Sequence, residues 1–275
     1  MYQLRLLLIS ILCFVSCSQS DMQGTREDLQ NLPKDTGGVH ESHLLGSTES
    51  HFGYYFYTPG NYDSTTASYP LLIFLHGAGE IGNSTSNAAE LDKVLRHGPP
   101  KLIEMGSWKP PYPMLVASPQ SAEFSWNIEE IHLFIEYIMS LYRIDAKRIY
   151  LTGLSMGGYG TFDYVGIHGD GSHVAAIVPI CGGGNANTGT SFGDIPVWAF
   201  HGEDDQVVDL FNSVNMIQAI NESSPGTRAK LTVYPGVGHD SWSRTYDGSG
   251  IGSGSTEYDP FDISVYDWLF SIKKK

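Results

Sequence analysis

The stretch Arg148-Ile149-Tyr150-Leu151-Thr152-Gly153-Leu154-Ser155-Met156-Gly157-Gly158-Tyr159-Gly160-Thr161 decides the fold. Its first residues read as a buried strand, and its glycine-rich second half opens a helix. Between them lies Gly-x-Ser-x-Gly, a serine carried on a sharp strand-to-helix turn. The residues two positions either side of that serine must be small if strand and helix are to approach closely. Gly153 and Gly157 meet that demand, and Gly158 relaxes it further. The helix N-terminus presents free N–H groups and the positive end of its dipole to the Ser155 hydroxyl. The bland alternative is a glycine-rich turn with an incidental serine, and the residues downstream weigh against it.

A serine hydroxyl becomes a nucleophile at neutral pH when a base takes its proton and a carboxylate orients that base. Ile195-Pro196-Val197-Trp198-Ala199-Phe200-His201 reads as a strand running into Gly202-Glu203-Asp204-Asp205, and Leu231-Thr232-Val233-Tyr234 leads into Gly238-His239-Asp240-Ser241-Trp242. Ser155, Asp205 and His239 thus follow one another in the order serine, acid, histidine, each after a strand. Asp205, fourth after His201, is favoured over Asp204, which reads as a solvated turn carboxylate. Of the ten histidines, His76 and His201 end apolar strands and are expected to brace loops by hydrogen bonding. Upstream, the continuous apolar run Tyr69 to Leu75 stops at His76-Gly77-Ala78-Gly79, a loop able to turn an amide toward the serine. The backbone N–H groups of Ala78 and Met156 are the candidate oxyanion donors.

These motifs resemble those of one family. Leu75-His76-Gly77-Ala78-Gly79-Glu80, His97-Gly98-Pro99-Pro100-Lys101-Leu102-Ile103, Ser118-Pro119-Gln120, the Ser155 stretch, Pro179-Ile180-Cys181-Gly182-Gly183 and Gly238-His239-Asp240-Ser241-Trp242 are similar to bacterial α/β-hydrolases of the prolyl-oligopeptidase-like or "predicted peptidase" group. That group borders the feruloyl and acetylxylan esterases of carbohydrate esterase family 1 and the polyhydroxybutyrate depolymerase-type esterases. The resemblance covers about residues 50 to 272. It implies Ser155 as nucleophile, Asp205 as acid and His239 as base. Two departures, both expected near the pocket, are Ile81, where the family often has arginine, and a glycine- and serine-rich insertion from Asp247 to Thr256.

Composition fits a single catalytic domain. The chain has 275 residues, 41% of them hydrophobic and 17% charged, enough to bury a full core without disulfides. A net charge of −14 argues against nucleic acid and against an anionic membrane surface as partners. Residues 1–16 read as a signal peptide: Leu6 to Val15 is an apolar run too short to span a bilayer, and Val15-Ser16-Cys17 resembles a bacterial lipobox with Cys17 acylated. An ordinary export signal is the alternative. Residues 17–48 read as a polar tether and 49–275 as the catalytic domain. The expected address is the cell envelope, with contact to a membrane through a lipid at Cys17 alone. With two cysteines in the leader, Cys181 stands alone and is expected to be a buried packing residue.

The remaining pattern suggests an α/β fold, a doubly wound, mostly parallel sheet with helices on both faces. Strands are expected at 51–57, 70–75, 114–117, 148–152, 174–180, 195–201 and 230–234, and helices at 88–96, 128–142, 156–166, 209–221 and 260–271. His168, Asp170 and His173 surround two glycines and read as a surface loop; no metal and no cofactor are expected. Trp108, Tyr112, Trp126 and Trp242 fall in loops, and Trp126 and Trp242 are the candidate substrate-stacking residues. Carboxylic ester hydrolysis on acetyl or feruloyl esters of carbohydrates is the favoured activity. A serine peptidase of prolyl-oligopeptidase type and a non-catalytic binding module on the same fold are the alternatives.

Overall fold

Alternation along the strands sorts the side chains into two cores, one on each face of a single sheet. In Tyr69–Leu75 (β3), Leu71, Ile73 and Leu75 face one core while Leu72 and Phe74 face the other; Ile149 and Leu151 oppose Tyr150 in the same way. Each such apolar side chain contributes about 1.5–3 kcal/mol when fully buried. The computed structural model describes residues 26–223 and 229–275. The signal peptide and the candidate lipidation site Cys17 lie outside the described residues.

The other strands are Val39–His43 (β1), Gly53–Thr58 (β2), Leu115–Gln120 (β4), Ile144–Leu154 (β5), Ala176–Ile180 (β6), Trp198–Gly202 (β7) and Lys230–Tyr234 (β8). Their order in the sheet is β1-β2-β4-β3-β5-β6-β7-β8, antiparallel at β1–β2 and β2–β4 and parallel from there on. Ile128–Leu141 (α2), Met156–His168 (α3) and Phe211–Ser223 (α4) cover one face through Phe134, Ile138, Phe162, Val165, Met216 and Ile220. Gly98–Glu104 (α1), Trp242–Tyr246 (α5) and Val265–Phe270 (α6) cover the other, around Trp198, Trp268 and Phe270. The doubly wound arrangement expected from sequence is therefore the observed one. Among the described residues no helix is long and apolar enough to cross a membrane.

Several boundaries move for identifiable reasons. The strand expected at 195–201 starts at Trp198, because Pro196 offers no N–H to the ladder. The helix expected from 260 begins at Val265, where Ser264 Oγ accepts the Asp267 N–H. Residues 88–96 form a 3-10 helix. Helix α1 was not anticipated; its Pro99 and Pro100 occupy the first turn, where a missing N–H costs nothing. The insertion after the histidine loop lies along the free edge of β8, with Ser255 N–H bonded to Val233 O and Asp259 Oδ2 accepting Leu231 N–H, and not at the serine.

The largest correction concerns residues 26–48 of the expected tether, which are part of the domain. β1 pairs with β2 from Val39↔Thr58 to His43↔Tyr54, Leu29 is buried, and Asp35 accepts hydrogen bonds from Tyr57 Oη and Gly60 N. Asp28 holds the buried Arg148 guanidinium through two bonds of 2.6 and 3.0 Å, beside Asp145 at 2.6 Å, and also meets Lys273 at 2.8 Å. The Arg148 and Lys273 cations hold the Asp28 carboxyl far below the usual carboxylate range. Asp28→Ala removes both of these bonds to the Arg148 guanidinium while Asp145 stays, so its expected cost lies between that of a surface pair and that of a broken buried pair, about 2 kcal/mol. Urea denaturation of wild type and variant measures it; equal midpoints would refute the clamp.

Candidate active site

Ser155 sits between β5 and α3 with φ 53° and ψ −117°, a left-handed conformation that a non-glycine residue holds only when its surroundings force it. The forcing is steric. A Cβ on Gly157 would overlap the Leu75 carbonyl, and one on Gly153 would overlap the Gly157 carbonyl. The helix can therefore start only against the ends of β3 and β5, and the serine projects from that corner.

Two further strand ends deliver the partners. Asp205 follows β7 and is buried; its Oδ1 accepts the N–H groups of Val207 (2.8 Å) and Val208 (3.0 Å). Its Oδ2 accepts Nδ1–H of His239 at 2.7 Å, which leaves Nε2 of that ring as the acceptor for Ser155 Oγ at 3.0 Å. Burial opposes ionisation of Asp205, but the bonds from His239 and from the two amides outweigh it and hold the carboxyl below its ordinary value. Asp204 is exposed, with its side chain in solvent. The structure thus brings together all three residues singled out by order.

Ala78 and Met156 line one cavity with Ser155, each in the first turn of a helical segment where an N–H lacks an intrahelical acceptor. Glu80, buried, accepts the Gly77 N–H at 3.1 Å and so fixes the Ala78 loop, while Gln120 Nε2 donates to the Glu80 carbonyl at 3.0 Å. The cavity measures about 470 Å³ and is also lined by Phe124, Trp126, Tyr159, Asp163, Val207 and Val208. A larger cleft of about 610 Å³ lies elsewhere, bounded by Asp35, Tyr57, Ile103 and Trp108, and holds none of these residues.

Of the expected aromatic residues, Trp126 lines the cavity and donates from Nε1 to His76 O. Trp242 is not on its wall; it packs edge-on against His239, centroids 5.2 Å apart, and donates to His97 Nδ1. Trp108 and Tyr112 pack against Tyr266 and Phe270, away from the serine. Tyr159 and Asp163 were missed, although their spacing of four and eight from Ser155 places all three on one helix face. Asp163 has no hydrogen-bond partner among the described residues, and burial pushes its carboxyl up. Cys181, beside Asp205 and His239, is fully buried, and burial raises its thiol far above the ordinary range.

His201 and His76 brace loops, as their positions suggest. His201 Nε2–H donates to Val208 O at 2.9 Å and lies 3.3 Å from Asp205 Oδ2. His76 accepts the Ser121 N–H at Nε2 (2.9 Å) and donates from Nδ1 to Gly77 O (2.6 Å); burial pushes its pKa down to about 4. The unfolded chain takes up that proton near the usual imidazole value of about 6.5. His76 therefore contributes stability above about pH 6.5 that is lost as pH falls toward 4, on the order of 3 kcal/mol in total. In His76→Gln, urea midpoints measured from pH 7 to pH 4 should fall less steeply than in wild type; an unchanged slope would assign the loss to other groups.

Comparison with known proteins follows the same lines. Residues 63–247 match the phospholipase/carboxylesterase family. No curated protein matches the chain. A thermostable esterase of known structure is 29% identical, with a TM-score of 0.60, over 86% of this chain and 63% of its own, so this chain spans less than two thirds of that esterase's length. The feruloyl esterase module from Clostridium thermocellum, solved with sinapinate, is 19% identical over 89% of this chain and 90% of its own, with a TM-score of 0.54. A truncated carbohydrate esterase from gut microbiota is 20% identical over 75% of this chain and 91% of its own, with a TM-score of 0.52. At these lower identities the likeness is one of fold. The sheet order and the family match together establish that the chain belongs to the phospholipase/carboxylesterase family of α/β-hydrolases.

Proposed function

We propose that this protein is a serine carboxylic-ester hydrolase acting through an acyl-enzyme on acetyl or feruloyl-type esters of carbohydrates. The observation that carries this reading is the unbroken row Ser155 Oγ, His239 Nε2, His239 Nδ1, Asp205 Oδ2, with steps of 3.0 and 2.7 Å, at the wall of a cavity of about 470 Å³. Ser155 Oγ attacks the ester carbonyl carbon while His239 Nε2 takes its proton. The amides of Ala78 and Met156 receive the oxyanion. Collapse breaks the bond to the alcohol, which leaves with the proton from His239. Water, deprotonated by His239, then attacks the acyl carbon; collapse frees the acid and returns the proton to Ser155.

The substrate class rests on the cavity. Trp126, Phe124, Met156 and Tyr159 offer apolar and aromatic surface, while the unpartnered Asp163 carboxylate suits a hydroxyl donor. A phenolic acyl group or a sugar alcohol supplies both. The relatives whose names mention feruloyl and carbohydrate esters fit this chemistry. Peptidase action finds no particular observation in its favour.

Hydrolysis of a panel of acetyl, feruloyl and longer acyl esters tests the proposal. Acetyl or feruloyl esters should be the fastest, and Ser155→Ala should lower turnover on the order of 10⁴ to 10⁶-fold. Asp205→Asn should cost roughly 10⁴-fold and Asp204→Asn less than about tenfold. More than a tenth of the activity left in Ser155→Ala would remove Ser155 as nucleophile.

The address proposed with this activity is a lipid anchor at Cys17 in the cell envelope. Two or more acyl chains, at about 0.8 kcal/mol per buried CH₂, hold a protein firmly at a bilayer. Expressed in a Gram-negative host, the wild type should incorporate labelled palmitate and sediment with membranes, and Cys17→Ser should lose the label. An unlabelled, freely soluble wild type would leave residues 1–16 as an ordinary export signal.

A further inference from the structure

His132, His168 and His173 stack face to face on the outer side of α2 and α3. His132 lies between the other two rings, its centroid 4.4 Å from that of His168 and 4.8 Å from that of His173, with planes inclined by 15° and 22°. The acid that joins them is not Asp170, which lies against Gly193, but Glu136, one turn after His132 in α2. Glu136 Oε1 is 3.7 Å from His132 Nε2 and 3.5 Å from His173 Nε2.

Those separations are too long for hydrogen bonds and close to what a shared ion requires. A tetrahedral site with metal–ligand bonds of about 2.0–2.2 Å has ligand atoms about 3.3–3.5 Å apart. The His173 Nε2 atom is buried and without a hydrogen-bond partner among the described residues, as is Nε2 of His168. The opposite nitrogen of His132 is already fixed: Nδ1 lies 3.1 Å from the Tyr164 hydroxyl, which also receives the His173 backbone N–H. A bond donated by Nδ1 leaves the His132 Nε2 lone pair free, the support that metal-binding imidazoles ordinarily have. The third pair, His132 and His173, has its nitrogens within 4.8 Å. The rings as stacked hold their lone pairs in nearly parallel planes, so binding requires His173, on its loop, to turn out of the stack about χ1 and χ2 until its Nε2 lone pair meets that of His132.

We propose that His132, His173 and Glu136 form a binding site for one transition-metal dication, with water completing the shell. Two imidazoles and a carboxylate suit zinc, cobalt or nickel rather than calcium or magnesium. Because His173 lies in the connection from α3 to β6, the ion ties that connection to α2. The site is at the C-terminal end of α3 and Ser155 at its N-terminal end, about 20 Å apart at 1.5 Å per residue. The ion is therefore a structural clip outside the ester-cleaving site.

Calorimetric titration with zinc chloride tests it, on the full chain in detergent, purified without a histidine tag and stripped by a chelator. Wild type should bind one equivalent more than the double variant His132→Ala/His173→Ala. Its melting temperature should rise by about 5 °C at zinc a hundred times the Kd, a rise absent from the variant. Far-UV circular dichroism checks that the variant is folded; if it is not, Glu136→Gln, an exposed position, gives the same comparison. Equal stoichiometry and equal thermal response in wild type and variant, or no zinc bound by wild type at millimolar concentration, would overturn the site.

Discussion

Everything at the site depends on how closely bare backbone can meet bare backbone under Ser155. The first turn of α3 presses against the carboxyl ends of three central strands at once: Gly157 meets β3, Gly153 meets the helix itself, and Gly158 lies over the Ile180 carbonyl of β6. Three glycines at those contacts remove the side chains that would hold the layers apart. The cost is a serine backbone in a conformation worth about 1–3 kcal/mol of strain, and the packing on both faces of the sheet offsets it. What the strain yields is direction: the hydroxyl leaves the corner toward the loops after β3, β7 and β8.

Those loops are held by buried polar side chains rather than by apolar packing. His76, Glu80 and Gln120 fix the turn after β3, and His201 with two backbone amides fixes the acid after β7. Each imidazole there has a partner at both nitrogens, so neither is free to compete with His239 for the serine. Precision in a reactive row of this kind comes from the satisfied network around it, since unsatisfied groups in a low-dielectric interior would drive the loops elsewhere.

Sequence made the meeting of Ser155, His239 and Asp205 more legible than the periphery. Ser155, Asp205 and His239 could be read because strand ends, glycines and chain order constrain them jointly. The parallel core strands could be read because burial on both faces makes them continuously apolar. β1 could not: Val39-His40-Glu41-Ser42-His43 is an edge strand held by backbone bonds, and such pairing leaves little trace in side-chain pattern. Helix α1 hid behind its two prolines, which read as a breaker although they suit a first turn. The imidazole stack was half legible. His168 and His173 stood out by proximity in sequence, but His132 and Glu136 arrive from a separate helix, and only the packing of α2 on α3 reveals them.

The docking of residues 26–48 onto the domain changes a length. A free segment from residue 17 to 48 would let the enzyme roam far from a surface. With Asp28 clamped to Arg148, the run between Cys17 and Arg26 spans about 30 Å at full extension. A chain lipidated at Cys17 would then hold Asp28 within roughly one bilayer thickness of the membrane face, with Ser155 a further ~20 Å away past the other end of β5. Under the proposed lipidation, a substrate would have to come within that combined distance of the membrane to meet the cavity.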